Sequence, residues 1–404
     1  LLCIATSVDA KWTQLAEFST FGQGRWGAMS FVVDNKIYAG GGYVGNFSNV
    51  NDWQSYDPAT KQWKFLNTMP GTNYNRTEGV AFTLNGKGYL GLGAQDYNGF
   101  NPSPTWLADL WQYDAATDKW TKKKDLPDSG RSDAAFFTIN NKAYVVGGST
   151  GSFGITADTW EYDPASDKWT EKKSYPGTLE SAAGFSINGK GYIVGGSLNG
   201  NATNKVYEYN PASNTWTEKA PFPESEITGA VAFVMGNKAY VGLGAKEPYD
   251  ATNSKYFQHL YVYDAAKDSW SYAPGFELTA QGRMYAIAEV VNNKLYMGGG
   301  WRLDNGATQT FFRDFYEADP AVAAGINSIG STGVKLYPNP AKDILHIEGH
   351  VQGSQYILYD IIGKAVKNDI LQGSYIDISD IAPGIFTLIL TTVNGNVSST
   401  ITKE

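Results

Sequence analysis

The stretch Asn141-Lys142-Ala143-Tyr144-Val145-Val146-Gly147-Gly148 is the first half of a unit that decides the fold. Its second half is Asp158-Thr159-Trp160-Glu161-Tyr162-Asp163, and Lys168-Trp169-Thr170 follows. The Lys-x-Tyr part of the unit recurs at Lys36, Lys87, Lys142, Lys190, Lys238 and Lys294, with spacings of 51, 55, 48, 48 and 56 residues. A repeat of this period indicates a solenoid, a propeller or an array.

Each unit predicts four short strands. An apolar strand such as 134–139 meets a two-residue turn of Asn and Gly type, which favours a tight β-hairpin. The Lys-x-Tyr strand comes next and ends in Gly-Gly, and the Trp-x-Tyr-Asp and Trp-Thr strands complete the unit. Because four short strands cannot bury both sheet faces alone, radial stacking in a β-propeller is the expected solution.

The two ends of the repeat array indicate how the ring closes. Six units contain the Lys-x-Tyr hairpin, but only five have the closing Trp downstream, and the pattern stops after Tyr316-Glu317-Ala318-Asp319-Pro320. The missing strand is present at the other end, in Lys11-Trp12-Thr13. We therefore predict an all-β chain whose six-bladed propeller spans residues 11–320 and is closed by its N-terminal strand.

The composition excludes several classes of protein. The 404 residues contain 45 Gly, 14% aromatic and only 18% charged residues, whereas disordered chains have few aromatics and high charge. A net charge of −8 makes a nucleic-acid partner unexpected. The sequence contains no apolar run of about 20 residues, so it does not predict a transmembrane helix. Residues 1–10 are interpreted as the remnant of a signal peptide, because Val8 and Ala10 suit a signal-peptidase site; the alternative is a frayed terminus.

The repeat resembles the kelch motif, in which a Gly-Gly doublet is followed by a Tyr and a Trp at fixed offsets. Two units depart from the doublet, with Gly91-Leu92-Gly93 and Gly242-Leu243-Gly244. The resemblance implies a propeller fold that hosts both enzymes and binding modules, so the fold does not determine the function.

The C-terminal part differs from the repeats. Residues 321–332 are small and predict a linker, and residues 333–404 predict a small Ig-like β-sandwich with strands bounded by Asn-Gly and Pro-Gly turns. The segments Tyr337-Pro338-Asn339-Pro340, Tyr359-Asp360-Ile361-Ile362-Gly363-Lys364 and Pro383-Gly384-Ile385-Phe386 resemble the type A C-terminal sorting domain of the type IX secretion system of Bacteroidota. This resemblance implies that residues 333–404 engage the secretion machinery and that the protein is secreted or displayed at the outer-membrane cell surface.

One repeat position predicts a ring of cations near the central channel. The residues 11 before each repeat lysine are Arg25, Arg76, Arg131, Leu179, Ile227 and Arg283. Arginine can bind a carboxylate through two parallel hydrogen bonds, so the four arginines are candidate ligand-binding residues. Glu78 and Asp133, two residues further on, are candidates to partner Arg76 and Arg131 or to contact ligand hydroxyls. The alternative is that these charged sets only pin the blades together.

Aromatic residues in the variable loops suit a sugar-binding surface, since ring faces contact C–H groups while polar neighbours bind hydroxyls. Tyr43 directly follows Gly42, Trp301 directly follows Gly300, and Tyr97 lies in the corresponding loop of the second unit. These three are the aromatic binding candidates. The alternative is that they pack the loops down.

Two further residues are candidates for acid–base chemistry. Glu289 stands in a column that is otherwise Phe31, Phe82, Phe137, Phe185 and Phe233, and a buried carboxyl is costly unless it is paired. His259 occupies the position of Asp52, Asp109 and Asp158, where a structural role is the alternative. We predict neither a metal nor a cofactor. The copper chemistry of the kelch family member galactose oxidase needs two His ligands and a Cys-linked Tyr, and cleavage after Ala10 would leave no cysteine.

The sequence therefore favours a monomeric secreted or surface propeller that binds a glycan or an extracellular protein through its loop face. Whether it is also an enzyme stays open. The kelch resemblance allows a metal-independent carbohydrate-active enzyme, such as a sialic-acid epimerase or mutarotase, as the alternative.

Overall fold

The computed structural model describes residues 12–18, 22–44, 48–69, 75–95, 104–151, 154–246, 255–273, 276, 282–304, 308–318, 327–328, 335–338, 340–348, 353–360, 364–392 and 395–404. The regular elements of these residues are β-strands. They belong to two compact units, one built mainly of Thr13–Trp270 and Leu278–Glu317 and the other mainly of Ala318–Glu404. The all-β fold that the sequence predicts is confirmed.

Six antiparallel sheets of four strands form the blades of the first unit. From the innermost strand outward, blade 1 is Met29–Val33, Lys36–Gly40, Trp53–Asp57 and Gln62–Phe65; blade 2 is Val80–Leu84, Lys87–Gly91, Leu110–Asp114 and Lys119–Lys122; blade 3 is Ala135–Ile139, Lys142–Val146, Thr159–Asp163 and Lys168–Lys172; blade 4 is Ala183–Ile187, Lys190–Val194, Val206–Asn210 and Thr215–Lys219; blade 5 is Val231–Met235, Lys238–Gly242, Leu260–Asp264 and Ser269–Tyr272; blade 6 is Ile287–Val291, Lys294–Gly298, Phe315–Ala318 and Trp12–Gln14.

The innermost strands follow each other around a closed ring. Each contacts the innermost strand of the next blade, and the strand of blade 6 returns to that of blade 1. As the repeat count predicts, the N-terminal strand Trp12–Gln14 completes blade 6 by pairing with Phe315–Ala318. The Trp63 Nε1–H of blade 1 then donates to the Ala16 carbonyl 3.0 Å away, just after that strand. Equivalent bonds from Trp120, Trp169, Trp216 and Trp270 join the other blades.

Aromatic side chains between the blades explain why the repeat keeps its Phe, Tyr and Trp columns. Phe31 stacks on Tyr38 with 5.3 Å between ring centroids, and it also contacts Tyr113 of blade 2 at 6.2 Å. A Cβ atom added to Gly88 of blade 2 would overlap the Phe31 ring. The repeated Trp residues are therefore core and interblade contacts, and they do not form a ligand surface.

At blade 3 the described residues Ser132, Ser149 and Ile155 form isolated bridges. A short outer ladder covers one end of each of the other five blades and forms the loop face. It consists of two-residue or four-residue strands beside the Gly-Gly segments. These strands are Arg25–Trp26, Tyr43–Val44, Ser48–Asn49, Ala94–Gln95, Thr105–Trp106, Leu179–Glu180, Ser197–Leu198, Asn201–Ala202, Ala245–Lys246, Lys255–Tyr256, Trp301–Asp304 and Thr308–Phe311.

The C-terminal unit contains a five-stranded and a three-stranded sheet. Their strands are Asn327–Ser328, Gln355–Tyr359, Ala365–Ile370, Gly384–Thr392 and Gly395–Lys403 in one sheet, and Lys335–Tyr337, Ile344–Glu348 and Tyr375–Asp377 in the other. Leu345 and Ile376 of the small sheet share one buried core with Leu358, Leu388 and Ile401 of the large sheet. Two sheets around one apolar core fit the Ig-like sandwich that the sequence predicts.

The domain boundaries 11–320, 321–332 and 333–404 stay predictions. Residues 1–10 lie outside the described residues, and so does most of the predicted linker. Within that linker, Asn327 and Ser328 pair in parallel with Val397 and Ser398.

Candidate functional site at the channel mouth

The loop-face end of the central channel is bounded by one residue from each blade. The backbone N–H of each donates to the carbonyl of its equivalent in the preceding blade, over distances from 2.9 to 3.4 Å, so the hydrogen bonds run around the whole ring. We call these residues the mouth ring: Gly27, Glu78, Asp133, Ser181, Gly229 and Tyr285. They line a cavity of about 130 Å³.

The mouth ring holds its backbone in the left-handed region. The φ angles of all six residues lie between 55° and 62°. Glycine adopts this conformation without strain, whereas other residues lose roughly 1–2 kcal/mol. Gly27 and Gly229 show that glycine is compatible with the position. In the other four blades a residue with a side chain is kept at this position despite the backbone strain. Such strain is common at binding and catalytic sites.

The four predicted ligand-binding arginines lie beneath the mouth ring in buried ion pairs. Each is at most 1% exposed, and both of its terminal nitrogens bond an aspartate at the start of the third strand of its own blade. The nitrogen–oxygen distance is 2.8 Å for Arg25–Asp52, 2.7 Å for Arg76–Asp109 and 2.6 Å for Arg131–Asp158, and Arg283 pairs with Asp314 in the same way. Each ion pair joins two segments of one blade, whereas the structural alternative from the sequence was a pin between blades.

These pairs also explain two blades that lack arginine. Leu179 of blade 4 and Ile227 of blade 5 replace it, and the aspartate position then holds Lys205 and His259. Cation and anion are thus lost together. Burial alone would raise the pKa of Asp109 and Asp158, but the arginine hydrogen bonds and charge hold the pKa of both below its ordinary value.

His259 lies in the vacated aspartate position, half-buried at one side of blade 5. Its Nε2 is 3.4 Å from Glu224 Oε1, which also accepts a bond of 2.9 Å from the Tyr261 hydroxyl. Its ring packs edge-on against Tyr261 at 5.3 Å. His259 is not among the residues that line the mouth cavity.

Glu78 and Asp133 are brought together at the mouth. Their carboxyl groups hydrogen-bond each other, and Asp133 also accepts bonds from Tyr285 and Ser181. Their predicted partners Arg76 and Arg131 pair instead with the aspartates of the third strands. Burial is the main cause that raises the pKa of both groups; the Asp133 carboxylate raises the pKa of Glu78 further, and the Glu180 charge raises that of Asp133, whereas the hydrogen bond with Glu78 lowers it. The pair therefore retains a proton well above the usual range for carboxyls. Burial also raises the pKa of Glu180 nearby.

Aromatic side chains cluster beside Tyr285, the one aromatic member of the mouth ring and the one member of this cluster that lines the mouth cavity. The Trp26 ring lies 5.3 Å from Tyr285, 5.8 Å from Trp301 and 5.9 Å from Tyr43, and Tyr43 lies 5.8 Å from Phe311. We call these five residues the aromatic wall. Trp26, Tyr285 and Trp301 are half-buried, whereas Tyr43 is only 5% exposed and supports them from below. The predicted partner Tyr97 lies outside the described residues.

The repeat makes this asymmetry visible. The residue after the second glycine is Tyr43 in blade 1 and Trp301 in blade 6, but Ala94, Ser149, Ser197 and Ala245 in the others. The aromatic wall therefore belongs to two adjacent blades, and the acidic groups belong to blades 2, 3 and 4. Trp26 and Tyr285 are the site residues that the sequence analysis did not select. Their signal was an aromatic side chain at repeat positions that are not aromatic in the other five blades.

Glu289 lies deeper, in the central channel, where its Oε1 accepts a 2.7 Å hydrogen bond from the Ser30 hydroxyl of blade 1. Burial raises the pKa of Glu289 to about 7. In the part of the chain that the structure describes, no three His, Cys, Asp or Glu side chains are grouped so that they could hold a metal ion.

Comparison with known proteins finds matches for both parts of the chain. Residues 123–300 match the family described as the KLHDC2/KLHL20/DRC7 Kelch-repeats domain, and residues 30–70 match the Kelch motif. Residues 335–404 match the secretion system C-terminal sorting domain. A solved structure titled "Structure of YjhT" is similar with a TM-score of 0.58 and 19% identity, over 77% of this chain and 97% of that chain. No curated protein matches the chain.

The protein is thus a kelch-repeat β-propeller. It also carries a C-terminal sorting domain, which directs it through the type IX secretion system to the cell surface or the extracellular space. Among the described residues, no helix is long and apolar enough to cross a membrane.

Proposed function

We propose that the propeller is a binding module that holds a glycan at the channel mouth. The observation that carries the proposal is the pairing of the aromatic wall with the hydrogen-bonding side chains of the mouth ring. Trp26 and Trp301 offer ring faces to the C–H groups of a sugar. Asp133, Ser181 and Tyr285 offer acceptors and donors to its hydroxyls. The strained backbone at three of these positions supports a role for their side chains.

The charge of the mouth favours a neutral or basic sugar over an acidic one. The ionisable groups of its described lining are the acids Glu78 and Asp133 and the phenol of Tyr285. The four nearby arginines are each bonded to an aspartate and do not line the cavity. We therefore leave the guanidinium groups out of the proposed contact surface and retain Glu78, Asp133 and Trp301, with Trp26 and Tyr285 added.

A glycan array followed by calorimetry on the best ligand tests the proposal. Trp26→Ala and Trp301→Ala should each weaken binding by at least tenfold. Phe65→Ala is the matched control, because Phe65 is an aromatic residue that is 64% exposed on the outermost strand of blade 1. Equal binding by wild type, Trp26→Ala and Trp301→Ala would remove the site. If no glycan on the array binds and an extracellular protein is captured instead, the ligand is a protein and not a glycan.

The enzymatic alternative has one observation in its favour. Glu78 and Asp133 share a proton beside Tyr285, which is an arrangement suited to acid–base chemistry on a sugar. A sialic-acid epimerase or mutarotase would also need a cation for the substrate carboxylate. Following the equilibration of sialic-acid anomers by NMR tests this version. An acceleration by the protein that is lost in Asp133→Asn would establish it, and no acceleration would exclude it.

A further inference from the structure

We propose that the central channel below the mouth is a second binding site, which takes a small amine with an apolar body through the Glu289 carboxylate. The site is distinct from the glycan surface. Its cavity measures about 510 Å³ and is lined by the innermost strands of all six blades. The volume lies within the 300–1,000 Å³ that is typical of small-molecule pockets.

The channel is open to the mouth cavity through a belt of small residues. Directly after the mouth ring, every blade carries alanine or glycine: Ala28, Gly79, Ala134, Ala182, Ala230 and Ala286. These six residues line both cavities. A ligand in the mouth and one in the channel would therefore be neighbours.

Glu289 is the only ionisable side chain among the described residues that line the channel. It stands where five blades have phenylalanine, and its position lies on the seam between blades 6 and 1. Ser30 donates to Oε1, and the Glu289 side chain is among those that line the cavity. The rest of the polar lining consists of hydroxyl groups such as those of Thr83, Thr138 and Ser186.

The charge balance of this cavity determines the class of ligand. An ionised carboxylate that is buried is unfavourable unless a cation or hydrogen-bond donors accompany it. Among the described residues that line the channel there is no lysine, arginine or histidine to supply that cation. A ligand ammonium group would supply it, while its hydrocarbon part would contact the methyl and ring groups of residues such as Ala81 and Phe136. The raised pKa of Glu289 agrees with a carboxyl group that lacks a counter-charge of its own.

Calorimetry with the full chain at pH 8 and low salt tests the inference. The probe is 2-phenylethylamine, and the neutral comparison is 2-phenylethanol, which has the same shape and no charge. We expect the amine to bind at least tenfold more tightly than the alcohol. Below the pKa of Glu289 the amine affinity should fall roughly tenfold per pH unit, because the carboxylate is then protonated.

Three variants connect that binding to the channel. Glu289→Gln should weaken amine binding by at least tenfold, Glu289→Asp should retain most of it, and Glu218→Gln, which alters an exposed carboxylate, should leave it unchanged. Circular dichroism confirms that each variant folds. Failure of the amine to bind, equal binding of the alcohol, or equal binding by Glu289→Gln would overturn the proposal. Loss of amine binding in Trp301→Ala but not in Glu289→Gln would also overturn it, since the amine would then occupy the aromatic wall.

Discussion

The Tyr285 hydroxyl lies 2.9 Å from the Ser181 Oγ, so a side chain of blade 6 spans the channel mouth to blade 4. The same hydroxyl also bonds Asp133 of blade 3. Because the Tyr285 ring contacts Trp26 as well, one residue joins the aromatic wall to the acidic groups. The two halves of the proposed glycan site are therefore coupled through Tyr285.

Tyr285→Phe should separate these contributions. The change keeps the ring against Trp26 and removes only the hydroxyl that bonds Ser181 and Asp133. We expect glycan affinity to fall about fivefold to tenfold, which corresponds to one hydrogen bond of about 1–1.5 kcal/mol. Calorimetry measures the effect, and Tyr272→Phe on the outermost strand of blade 5 is the control. An unchanged affinity would show that the hydroxyl does not contribute to the site.

Glu78→Gly should stabilise the propeller while it weakens ligand binding. Glycine removes the left-handed backbone strain at φ 56°, worth roughly 1–2 kcal/mol, and it removes a carboxyl group whose pKa burial has raised. A raised pKa in the folded state means that ionisation opposes folding, so the wild type loses stability as the pH rises. The advantage of the variant should thus be larger at pH 8 than at pH 5.

Thermal unfolding at both pH values measures this effect, and calorimetry measures the loss of binding. Gly229→Ala is the reciprocal control, because its Cβ would meet Met284 in a backbone conformation that favours glycine; it should lower the melting temperature. A lower melting temperature for Glu78→Gly would contradict the assignment of strain to the mouth ring.

The buried arginine pairs should behave as structural pins. Arg76→Ala leaves Asp109 without its ion-pair partner, and losing one member of a buried pair typically costs 3–5 kcal/mol. Blade 5 shows a natural replacement, with Ile227 and His259 at the two positions. Arg76→Ile combined with Asp109→His should therefore be more stable than Arg76→Ile alone. Denaturant unfolding of the single and double variants measures the coupling, and strictly additive effects would refute it.

The fold could be predicted because the repeat encodes it six times. Each Lys-x-Tyr hairpin, each Gly-Gly end and each Trp is a local signal, and the missing strand after Tyr316 could be matched to Trp12. The position of the mouth ring also followed from counting along the repeat. Its closed ring of backbone hydrogen bonds did not follow, because left-handed geometry at Glu78 or Tyr285 is not visible in residue types that rarely adopt it.

The partners of the charged residues could not be derived from spacing. Arg76 and Glu78 are two residues apart and looked like a pair, yet Arg76 bonds Asp109, which is 33 residues away in the same blade. Glu78 itself has the left-handed conformation and lies where the chain passes from the outer ladder to the innermost strand, so the two side chains enter different environments. Trp26 could not be selected from the sequence for a related reason. It shares a two-residue strand with Arg25, and spacing alone does not show that Arg25 is buried while Trp26 is partly exposed.

Glu289→Gln should abolish a pH dependence of stability that arises in the channel. Burial raises the pKa of Glu289 to about 7 from an ordinary value of 4.5. The folded state therefore holds a proton that the unfolded state releases, and the wild type should lose stability as the pH rises from about 4.5 to 7. The group is partly exposed to the channel, so we expect a loss of about 1–3 kcal/mol.

Glutamine preserves the acceptor for Ser30 and cannot ionise, so the stability of the variant should match that of the wild type at pH 4.5 and exceed it at pH 8. Urea unfolding at the two pH values measures this difference, with Glu218→Gln as the exposed control. Parallel pH profiles of wild type and Glu289→Gln would show that the carboxyl is already hydrated in the channel, which would also weaken the case for an amine there.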